Sequence, residues 1–397
     1  MSTHKPLAGV RVLDLTRVLA GPFATMLLTD LGADVLKVEM PGVGDDSRHF
    51  GPFKNERSLY FISINRGKRS MTLNLKTDEG KDVLRRLVAE HDILVENFRP
   101  GVMEKLGLGY EELREINPGL IYAASSGYGH TGPDSRKPAY DILAQATGGL
   151  MSVTGWPGQA PTRVGCSIGD ISAALFTTIG VLAALNQRHE TGRGQKVDIA
   201  MLDCQVAILE NALARYQVDG VSPEPLGNRH PTISPFQAYR AKDDWLVVAI
   251  GNDTLWQTFC QTVNRNDLAA DGRFATNPQR TANLEALNAI LEPLFAQRTV
   301  GEWSSLFSEA GIPHSRINNI EQMMQSRQVQ ARNMVATVVD RIAGTVKVAG
   351  NPIKLSEMED GTERPPIPEL GEHTDDVLAA LGFDDDQIHA MHQQGVV

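Results

Sequence analysis

The pattern of apolar and polar positions in the first forty residues predicts a strand, then a helix, then a second strand. Residues 10–15 have the composition of a buried strand, and Pro22 suits the first turn of a helix that continues over residues 23–31. Gly32 is a typical helix end, and residues 34–39 predict a second strand. Together these elements predict a βαβ unit at the start of the chain.

The same alternation continues further along the chain. The next strands are predicted at residues 70–75, 93–96, 121–125 and 196–200, and the helices between and after them at residues 79–90, 170–188 and 202–216. Strands that alternate with helices in this way predict an α/β fold with a mostly parallel sheet and helices on both faces.

A change of character marks a second domain. Residues 220–235 are rich in proline and glycine and predict a linker. A hairpin and helices follow, at residues 236–241, 245–250, 255–263, 283–297 and 300–310. We therefore expect a large domain over residues 1–221, a smaller α+β domain over residues 222–330, and a segment over residues 331–397 that returns to the large domain. That last segment is predicted to contain strands near residues 335–339 and 346–348 and a final helix near residues 374–381.

The length of the chain agrees with this division into domains, and its charge narrows the classes of ligand. A chain of 397 residues exceeds what one hydrophobic core usually fills. The net charge of −10 argues against a nucleic-acid partner, because phosphate contacts require a basic surface. Smaller anionic ligands stay possible, since a local basic groove can lie on an acidic protein.

The cysteines indicate a reducing compartment. Cys166, Cys204 and Cys260 are widely spaced, so neither a disulfide framework nor a zinc site is predicted, and we expect three buried thiols in a cytoplasmic protein. Residues 1–10 lack the pattern of a signal peptide. The apolar stretch over residues 171–185 is too short and too polar for a membrane span, so no membrane association is expected.

The first βαβ unit leaves the question of a nucleotide open. In dinucleotide-binding folds, an acidic residue that binds the ribose follows the glycine-rich loop by roughly 20 residues. Glu39 stands at about this distance from the loop after the first strand. Ala20-Gly21-Pro22-Phe23 is not GxGxxG, however, and Pro22 removes an amide that would bind pyrophosphate. The unit can be purely structural, or it can bind a nucleotide in another way; NAD is not expected.

Asp170 stands just before an apolar helix and has two readings. An aspartate at a helix start is most often a capping residue. The same position suits a nucleophile, because the positive helix end favours the ionised carboxylate.

Other polar residues are less specific. His130 lies in a glycine-rich loop, where a hydrogen-bonded or solvated role is the commoner one. No histidine pair has metal-ligand spacing, and no GxSxG or HExxH motif occurs, so we expect no metal. Five cations stand near predicted strand ends, where each can be a solvated charge but together they suit a pyrophosphate: Lys76, Arg99, Lys105, Arg136 and Lys137.

Ordered motifs along nearly the whole chain are similar to those of the class III CoA-transferase family, which includes formyl-CoA:oxalate and carnitine CoA-transferases and the related 2-methylacyl-CoA racemases. They are Leu13-Asp14-Leu15-Thr16, Ala20-Gly21-Pro22, the run over residues 31–39, Val95-Glu96-Asn97-Phe98-Arg99-Pro100-Gly101, Gly127-Tyr128-Gly129, Thr131-Gly132-Pro133, Ala139-Tyr140-Asp141, Gly169-Asp170, Thr191-Gly192-Arg193-Gly194-Gln195 and Leu370-Gly371-Glu372-His373-Thr374.

The resemblance implies a fold and a mechanism. The fold is a Rossmann-like large domain with a small domain, in a homodimer whose protomers interlock. Asp170 matches the family's nucleophile, which forms an aspartyl mixed anhydride and then an aspartyl-CoA thioester, with CoA as co-substrate. Such intermediates require that water be excluded.

The resemblance also implies a CoA groove. Its residues match Val18, Leu19, Ala20, Leu73, Asn74, Leu75, Lys76, Asn97, Phe98, Arg99, Lys105, Lys137, Tyr140 and Asp141. Some relatives have an arginine after the strand-ending glutamate where this chain has Met40, so other cations must bind the ribose phosphate.

A second departure concerns the small domain. Formyl-CoA:oxalate transferases carry a glycine-rich loop, whereas the corresponding stretch here contains Gly251 and Asn252 and only one glycine. A shorter lid leaves room for a larger acyl group than formyl, such as acetyl or succinyl. Residues 226–231 and 350–354 resemble those of acetyl- or succinyl-CoA:oxalate transferases and other dicarboxylate CoA-transferases. The resemblance implies a small dicarboxylate acceptor, oxalate first, with Arg229 or His230 as the partner of its second carboxylate.

Two other functions share the fold. Racemases need bases on both sides of the 2-carbon, and the histidine of their Gly-His-Asp triplet is replaced here by Tyr140, whose pKa near 10 makes it a poor base. A non-catalytic CoA-binding protein is expected to have lost Asp170, which this chain retains. Both observations favour transfer.

Overall fold

The computed structural model describes residues 5–397. Its first part alternates strands and helices, in the order β1 (Arg11–Asp14), α1 (Ala20–Asp30), β2 (Asp34–Glu39), β3 (Phe53–Lys54), β4 (Arg57–Ser58), α2 (Leu59–Asn65), β5 (Arg69–Thr72), α3 (Asp78–Glu90), β6 (Ile93–Glu96), α4 (Val102–Lys105), α5 (Tyr110–Ile116), β7 (Ile121–Ser126), α6 (Asp141–Thr147), α7 (Leu150–Val153), α8 (Ile168–Thr191), β8 (Lys196–Ala200), α9 (Met201–Ile208) and α10 (Glu210–Asp219).

Six of these strands form one parallel sheet in the order β5-β2-β1-β6-β7-β8. The predicted α/β fold with a parallel sheet is confirmed. One face of the sheet packs against α3 and α5 around Leu84, Leu94 and Tyr122, and the other face packs against α1 and α8 around Val12, Ile93 and Val181. Both faces are therefore covered, as a parallel sheet requires.

The later residues build smaller sheets and further helices. They are β9 (Phe236–Arg240), β10 (Trp245–Ala249), α11 (Asp253–Thr262), α12 (Asn266–Ala270), α13 (Asn277–Ala282), α14 (Leu284–Phe295), α15 (Val300–Glu309), β11 (His314–Arg316), α16 (Ile320–Gln325), α17 (Arg327–Ala331), β12 (Val335–Asp340), β13 (Gly344–Ala349), β14 (Glu363–Arg364), α18 (Thr374–Ala380) and α19 (Asp385–Gln393). The hairpin of β9 and β10 continues to β11 as an antiparallel sheet.

The described chain divides into two compact units. One contains residues 5–150, 163–217 and 327–397, and the other contains residues 151–162 and 218–326. The smaller unit has its own core, in which Trp256, Phe295, Trp303 and Phe307 are almost fully buried. Residues 151–162 fall within it, although the sequence pattern placed them in the large domain.

Three predictions at this level were wrong. The single helix over residues 202–216 is two helices, α9 and α10, and the helix near residue 374 is followed by another, α19. Cys166 is exposed, whereas Cys204 and Cys260 are buried. Its exposure follows from its place in the loop before α8, outside the apolar core.

Helix α8 extends beyond the apolar stretch at residues 171–185 and is, by length and composition alone, long and apolar enough to cross a membrane, so the expectation that this stretch is too short and too polar was wrong. About half of that window is buried inside the chain, which is also typical of the core helix of a soluble protein. One face of α8, with Leu175 and Ile179, is exposed.

Candidate active site

A large cavity lies in the larger unit, at the carboxyl ends of the central strands. Its volume is about 560 Å³. Open α/β sheets bind ligands at this edge. The lining residues are Arg17, Val18, Leu19, Ala20, Asp46, Asn97, Phe98, Arg99, Pro100, Val102, Ser125, Ser126, Gly127, Lys137, Ala139, Tyr140, Asp170 and Met201.

Asp170 lies in the first turn of α8, where it contributes its side chain to the cavity. Ser167 occupies the N-cap position, so the alternative that Asp170 is only the capping residue is wrong. Among the described residues the Asp170 carboxylate has no ion pair, and it is partly buried. A carboxylate that is neither a cap nor half of an ion pair is available for chemistry.

Burial, with a smaller contribution from the charge of Asp141, raises the pKa of Asp170 from 3.8 to about 7. The sequence had predicted the opposite direction, because the positive end of a helix favours the ionised form. Loss of hydration opposes ionisation more strongly here. Near neutral pH the side chain therefore exists in both protonation states.

Asp141 supports the turn that carries Asp170. Its Oδ1 accepts a hydrogen bond from Gly169 N at 2.7 Å, and its Oδ2 accepts one from Gln145 Nε2 at 2.8 Å. The resemblance assigns Asp141 to CoA binding, but this side chain lies outside the cavity lining, and each of its oxygens accepts a hydrogen bond within the protein.

The loop after β1 and the loop after β6 both contribute residues to the cavity lining. Asn97 joins them: its Oδ1 accepts a hydrogen bond from Arg17 N at 2.9 Å, and its Nδ2 donates one to Arg17 O at 2.8 Å. Val18, next in the chain, has a positive φ of 68°. The wall at Val18, Leu19 and Ala20 is thus held by long-range contacts.

A buried polar cluster lies behind the loop at residues 97–99. Glu96 Oε2 accepts a hydrogen bond from Phe98 N at 2.7 Å, and Glu96 Oε1 is 3.7 Å from His130 Nε2. Lys196 Nζ lies 2.9 Å from His130 Nδ1. Burial raises the pKa of Glu96 to about 7. His130 therefore belongs to a hydrogen-bonded structural cluster, the commoner role that its loop position had indicated.

Cations surround the cavity mouth. Arg99 is exposed, Arg17 is 3.5 Å from Asp46 in an exposed ion pair, and Lys137 pairs with Asp134 at 2.7 Å. Exposed pairs are weak, so these side chains can exchange their partners for a phosphate.

The structure brings together most of the predicted CoA residues, but not all. Nine predicted site residues line the cavity: Val18, Leu19, Ala20, Asn97, Phe98, Arg99, Lys137, Tyr140 and Asp170. Six lie outside the lining: Leu73, Asn74, Leu75, Lys76, Lys105 and Asp141. Leu73 is buried in the core, whereas Lys76 and Lys105 are exposed.

The predicted lid and acceptor residues belong to the smaller unit. Asn252 caps α11 by accepting a hydrogen bond from Leu255 N at 2.9 Å, and no heavy atom lies within 4 Å of a Cβ placed on Gly251. His230 Nδ1 accepts a hydrogen bond from Thr232 N at 3.2 Å, and its ring packs 5.3 Å from that of Phe236. Arg229 is partly buried and has no ion pair within the described chain.

Sequence reasoning missed several cavity residues. Ser125 and Ser126 end β7, and the rule that ligands bind beyond strand ends could have found them. Tyr60 is close enough to Asp170 that burial and this charge raise its pKa to about 12. No local signal marked Tyr60, because it stands in an ordinary helix, α2.

Neither a ribose site at Glu39 nor a cluster of metal ligands is present among the described residues. Glu39 is buried, and Arg48 donates to both of its oxygens, at 2.7 and 2.8 Å, so it is not free to bind a ribose. Within residues 5–397, no group of three or more acidic, histidine or cysteine side chains has a metal-binding arrangement.

Comparison with known proteins decides the family. The profile of CoA-transferase family III matches residues 7–374. The chain belongs to CoA-transferase family III. It is accordingly an enzyme that transfers CoA, and the family relationship implies a CoA thioester as co-substrate.

Relatives of this CoA-transferase are named for several acids. It is 43% identical to the acetyl-CoA:oxalate CoA-transferase of Acetobacter aceti, over 92% of this chain and 93% of that protein. It is 39% identical to the human succinyl-CoA:glutarate CoA-transferase, over 100% of this chain and 91% of that protein. The succinyl-CoA:mesaconate CoA-transferase of Haloarcula marismortui is 40% identical, with coverage of 95% and 97%.

Solved structures agree with the fold. A CAIB/BAIF family protein from Brucella suis has a TM-score of 0.83 and 38% identity, and the match covers 95% of this chain and 99% of that one. Rv3272 from Mycobacterium tuberculosis has a TM-score of 0.84 and 33% identity, with coverage of 94% and 98%.

Proposed function

We propose that this enzyme transfers CoA from a short acyl-CoA to a small dicarboxylate through covalent intermediates on Asp170. The observation that carries the proposal is the Asp170 carboxylate itself. It lies in a cavity of about 560 Å³ without an ion pair, and Arg17, Arg99 and Lys137 line the same cavity. A nucleophile and a set of phosphate-binding cations thus share one site.

The first half of the reaction loads the enzyme. An Asp170 oxygen attacks the thioester carbonyl, the C–S bond breaks, and a mixed anhydride and the CoA thiolate form. The thiolate then attacks the aspartyl carbonyl of the anhydride. The donor leaves as its carboxylate, and Asp170 carries CoA as a thioester.

The second half repeats these steps in reverse order. The acceptor carboxylate attacks the aspartyl-CoA carbonyl, releasing the CoA thiolate and forming a new anhydride. The thiolate attacks the acceptor carbonyl, which gives the acceptor's CoA thioester and regenerates the Asp170 carboxylate. Every bond formed balances one broken, so no oxidant or reductant is needed.

The cavity wall suits the two parts of CoA. Leu19, Ala20, Val102 and Met201 offer an apolar surface for the pantetheine arm. Arg99 and the other cations at the mouth suit the phosphates. Because Met40 stands where some relatives have an arginine, we assign the ribose phosphate to these cations.

The acceptor is proposed to be oxalate or another small dicarboxylate, and the donor acetyl-, succinyl- or formyl-CoA. Support comes from the relatives, whose names include oxalate, glutarate and mesaconate. Arg229 is the proposed partner of the second carboxylate, since it has no ion pair in the described chain. His230 is the weaker candidate, because its Nδ1 is engaged by Thr232 N.

We also propose that a second copy of the chain covers the exposed face of α8. Leu175 and Ile179 are one helical turn apart on that face and are 45% and 59% exposed. Ile142 and Leu143 on the neighbouring α6 are exposed as well, which extends the apolar surface. An interlocked homodimer in the cytoplasm fits this surface and the three free cysteines.

Covalent trapping tests the mechanism. The enzyme is incubated with acetyl- or succinyl-CoA alone and treated with hydroxylamine or borohydride, and the peptide that contains residue 170 is analysed by mass spectrometry. We expect a hydroxamate or the reduced alcohol at Asp170. Unmodified Asp170 in an enzyme that is turning over would exclude the covalent route.

A substrate matrix tests the specificity. Acetyl-, succinyl- and formyl-CoA are each combined with oxalate, formate, succinate and C5 dicarboxylates, and the CoA products are identified by mass. Loss of the 2-proton in D₂O without transfer would instead indicate a racemase.

A further inference from the structure

Val18 has a backbone conformation that valine rarely adopts. Its φ of 68° lies in the left-handed region, where a β-branched residue is strained. Val18 stands between β1 and α1 and lines the cavity next to Leu19 and Ala20. Strain of this kind persists only where surrounding contacts hold it.

The Asp45 carboxylate makes the contact that holds Val18. Its Oδ1 accepts a hydrogen bond from Val18 N at 3.0 Å, and it accepts two more from the Ser47 N–H and hydroxyl, both at 2.8 Å. Asp45 is only 1% exposed, so water does not compete for this oxygen.

A buried lysine fixes the other oxygen of the same carboxylate. Lys37 Nζ is 2.8 Å from Asp45 Oδ2, and both side chains are fully buried. Lys37 Nζ also donates to Thr16 O at 2.7 Å, just before the strained segment. The ammonium group therefore ties the loop after β2 to the loop after β1.

Asn97 holds the preceding residue from the other side. Its amide brackets the backbone of Arg17 through both its oxygen and its nitrogen. The segment at residues 17–18 is thus fixed from the loops after β2 and β6, the two strands that flank β1 in the sheet.

We propose that Asp45 is a positioning residue that keeps Val18 left-handed and thereby shapes the wall against which CoA binds. The identity of the ligand as CoA depends on the proposed function, whereas the hydrogen bond between Asp45 and Val18 does not. Asp45 acts through the backbone of Val18 and does not line the cavity itself.

The test compares Lys37→Met/Asp45→Asn with Lys37→Met/Asp45→Ala. Asparagine keeps an acceptor for the Val18 N–H and alanine removes it, while neither variant leaves an unpaired ammonium in the interior. Each variant is also made with Val18→Gly, because glycine adopts positive φ without strain. CoA binding is measured by titration calorimetry, with thermal unfolding as a parallel measure of stability.

We expect the alanine variant to bind CoA at least about tenfold more weakly than the asparagine variant, in keeping with the strain of one left-handed residue. In the Val18→Gly background we expect the difference to fall below about threefold. Equal affinities with Val18 in place would overturn the proposal. An unchanged difference in the Val18→Gly background would overturn it too, since a general structural defect does not depend on residue 18.

A crystal structure of the Lys37→Met/Asp45→Ala variant gives a readout that needs neither CoA nor turnover. We expect Val18 to relax to negative φ and residues 17–20 to shift. A positive φ at Val18 in this variant would show that Asp45 does not hold its conformation. Trapping at Asp170 in the unaltered enzyme tests the proposed function separately, so failure of one is distinguishable from failure of the other.

Discussion

Asp141 accepts a hydrogen bond from the N–H of Gly169 at 2.7 Å. Burial is the main cause of the raised pKa of Asp170, and the charge of Asp141 is the second cause. One aspartate therefore both supports the turn that carries the other and opposes its ionisation. With a pKa of about 7, a substantial fraction of Asp170 is ionised at neutral pH and can attack the thioester, and its negative charge passes to the departing CoA thiolate as the neutral anhydride forms.

The rate is expected to depend on pH through Asp170. Its pKa is about 7, so the attacking carboxylate is depleted below neutral pH and kcat/KM for acyl-CoA rises as pH increases through 7. Asp141→Asn keeps an acceptor for Gly169 N and removes the charge that helps to raise the pKa of Asp170. The rise of kcat/KM with pH should therefore occur at lower pH in this variant. A pH profile of transfer by both enzymes measures the shift, and an unmoved limb would exclude the coupling.

Replacement of Asp170 is expected to separate activity from stability. Asp170→Asn should reduce transfer by at least about a thousandfold, because the nucleophile is lost. Asp170→Ala serves as the second variant, in case slow deamidation restores the aspartate. Near-normal turnover in Asp170→Ala would contradict the mechanism.

The same variants should be more stable than the unaltered enzyme in alkali. The folded pKa of Asp170 is raised above its ordinary value of 3.8, so its contribution to stability is present at low pH and lost as pH rises through about 7. Asp170→Asn is therefore expected to raise the free energy of unfolding at pH 8 by roughly 1 to 3 kcal/mol and to have little effect at pH 4. Urea unfolding at the two pH values measures this, and an equal effect at both would contradict it.

The stability contribution of Glu96 should depend on pH in the same direction, because burial also raises the pKa of this side chain. It is buried beneath the loop at residues 97–99, and its pKa is raised from 4.5 to about 7. Glu96→Gln keeps an acceptor for the Phe98 N–H and cannot ionise, so its advantage in unfolding free energy should appear as pH rises from 5 to 8. Glu96→Leu, which removes the acceptor, should be less stable than Glu96→Gln at both values. Equal stability of the two variants would show that the hydrogen bond to Phe98 contributes nothing.

Arg99 is expected to bind a CoA phosphate. Arg99→Gln should raise the KM for acyl-CoA by about tenfold, the usual effect of a lost charge-assisted hydrogen bond. Arg114→Gln is the matched control, because Arg114 is exposed, lies outside the cavity lining and pairs with Glu111 at 3.0 Å. Repeating the measurement with 3′-dephospho-CoA identifies the phosphate: a reduced penalty assigns Arg99 to the ribose phosphate. An unchanged KM in Arg99→Gln would remove Arg99 from the site.

The exposed face of α8 is expected to be a protein interface. Ile179→Glu places a charge in that face and should convert a dimer to a monomer in light scattering after gel filtration. Glu190→Gln on the same helix is the control, since Glu190 is exposed beyond the apolar stretch. A monomeric unaltered enzyme would refute the proposed dimer.

The sequence by itself determined the sheet and the identity of the nucleophile candidate. The strands at residues 34–39 and 93–96 were predicted with the bounds that the structure has, because each carries several apolar residues that the sheet buries. Asp170 was selected by the ordered motifs around it, and its position before an apolar helix was visible in the chain. These features depend on neighbours close in sequence.

Only the tertiary structure decided the protonation of Asp170 and the backbone conformation of the cavity wall at Val18. The raised pKa of Asp170 depends on burial and on Asp141, which is remote in sequence but close in space. The left-handed Val18 depends on Asp45, 27 residues away, and on a lysine that reaches both loops. Local preference predicts an ionised aspartate at a helix end and an extended valine. Long-range burial and buried ion pairs outweigh those preferences, and such contacts exist only after the strands have come together.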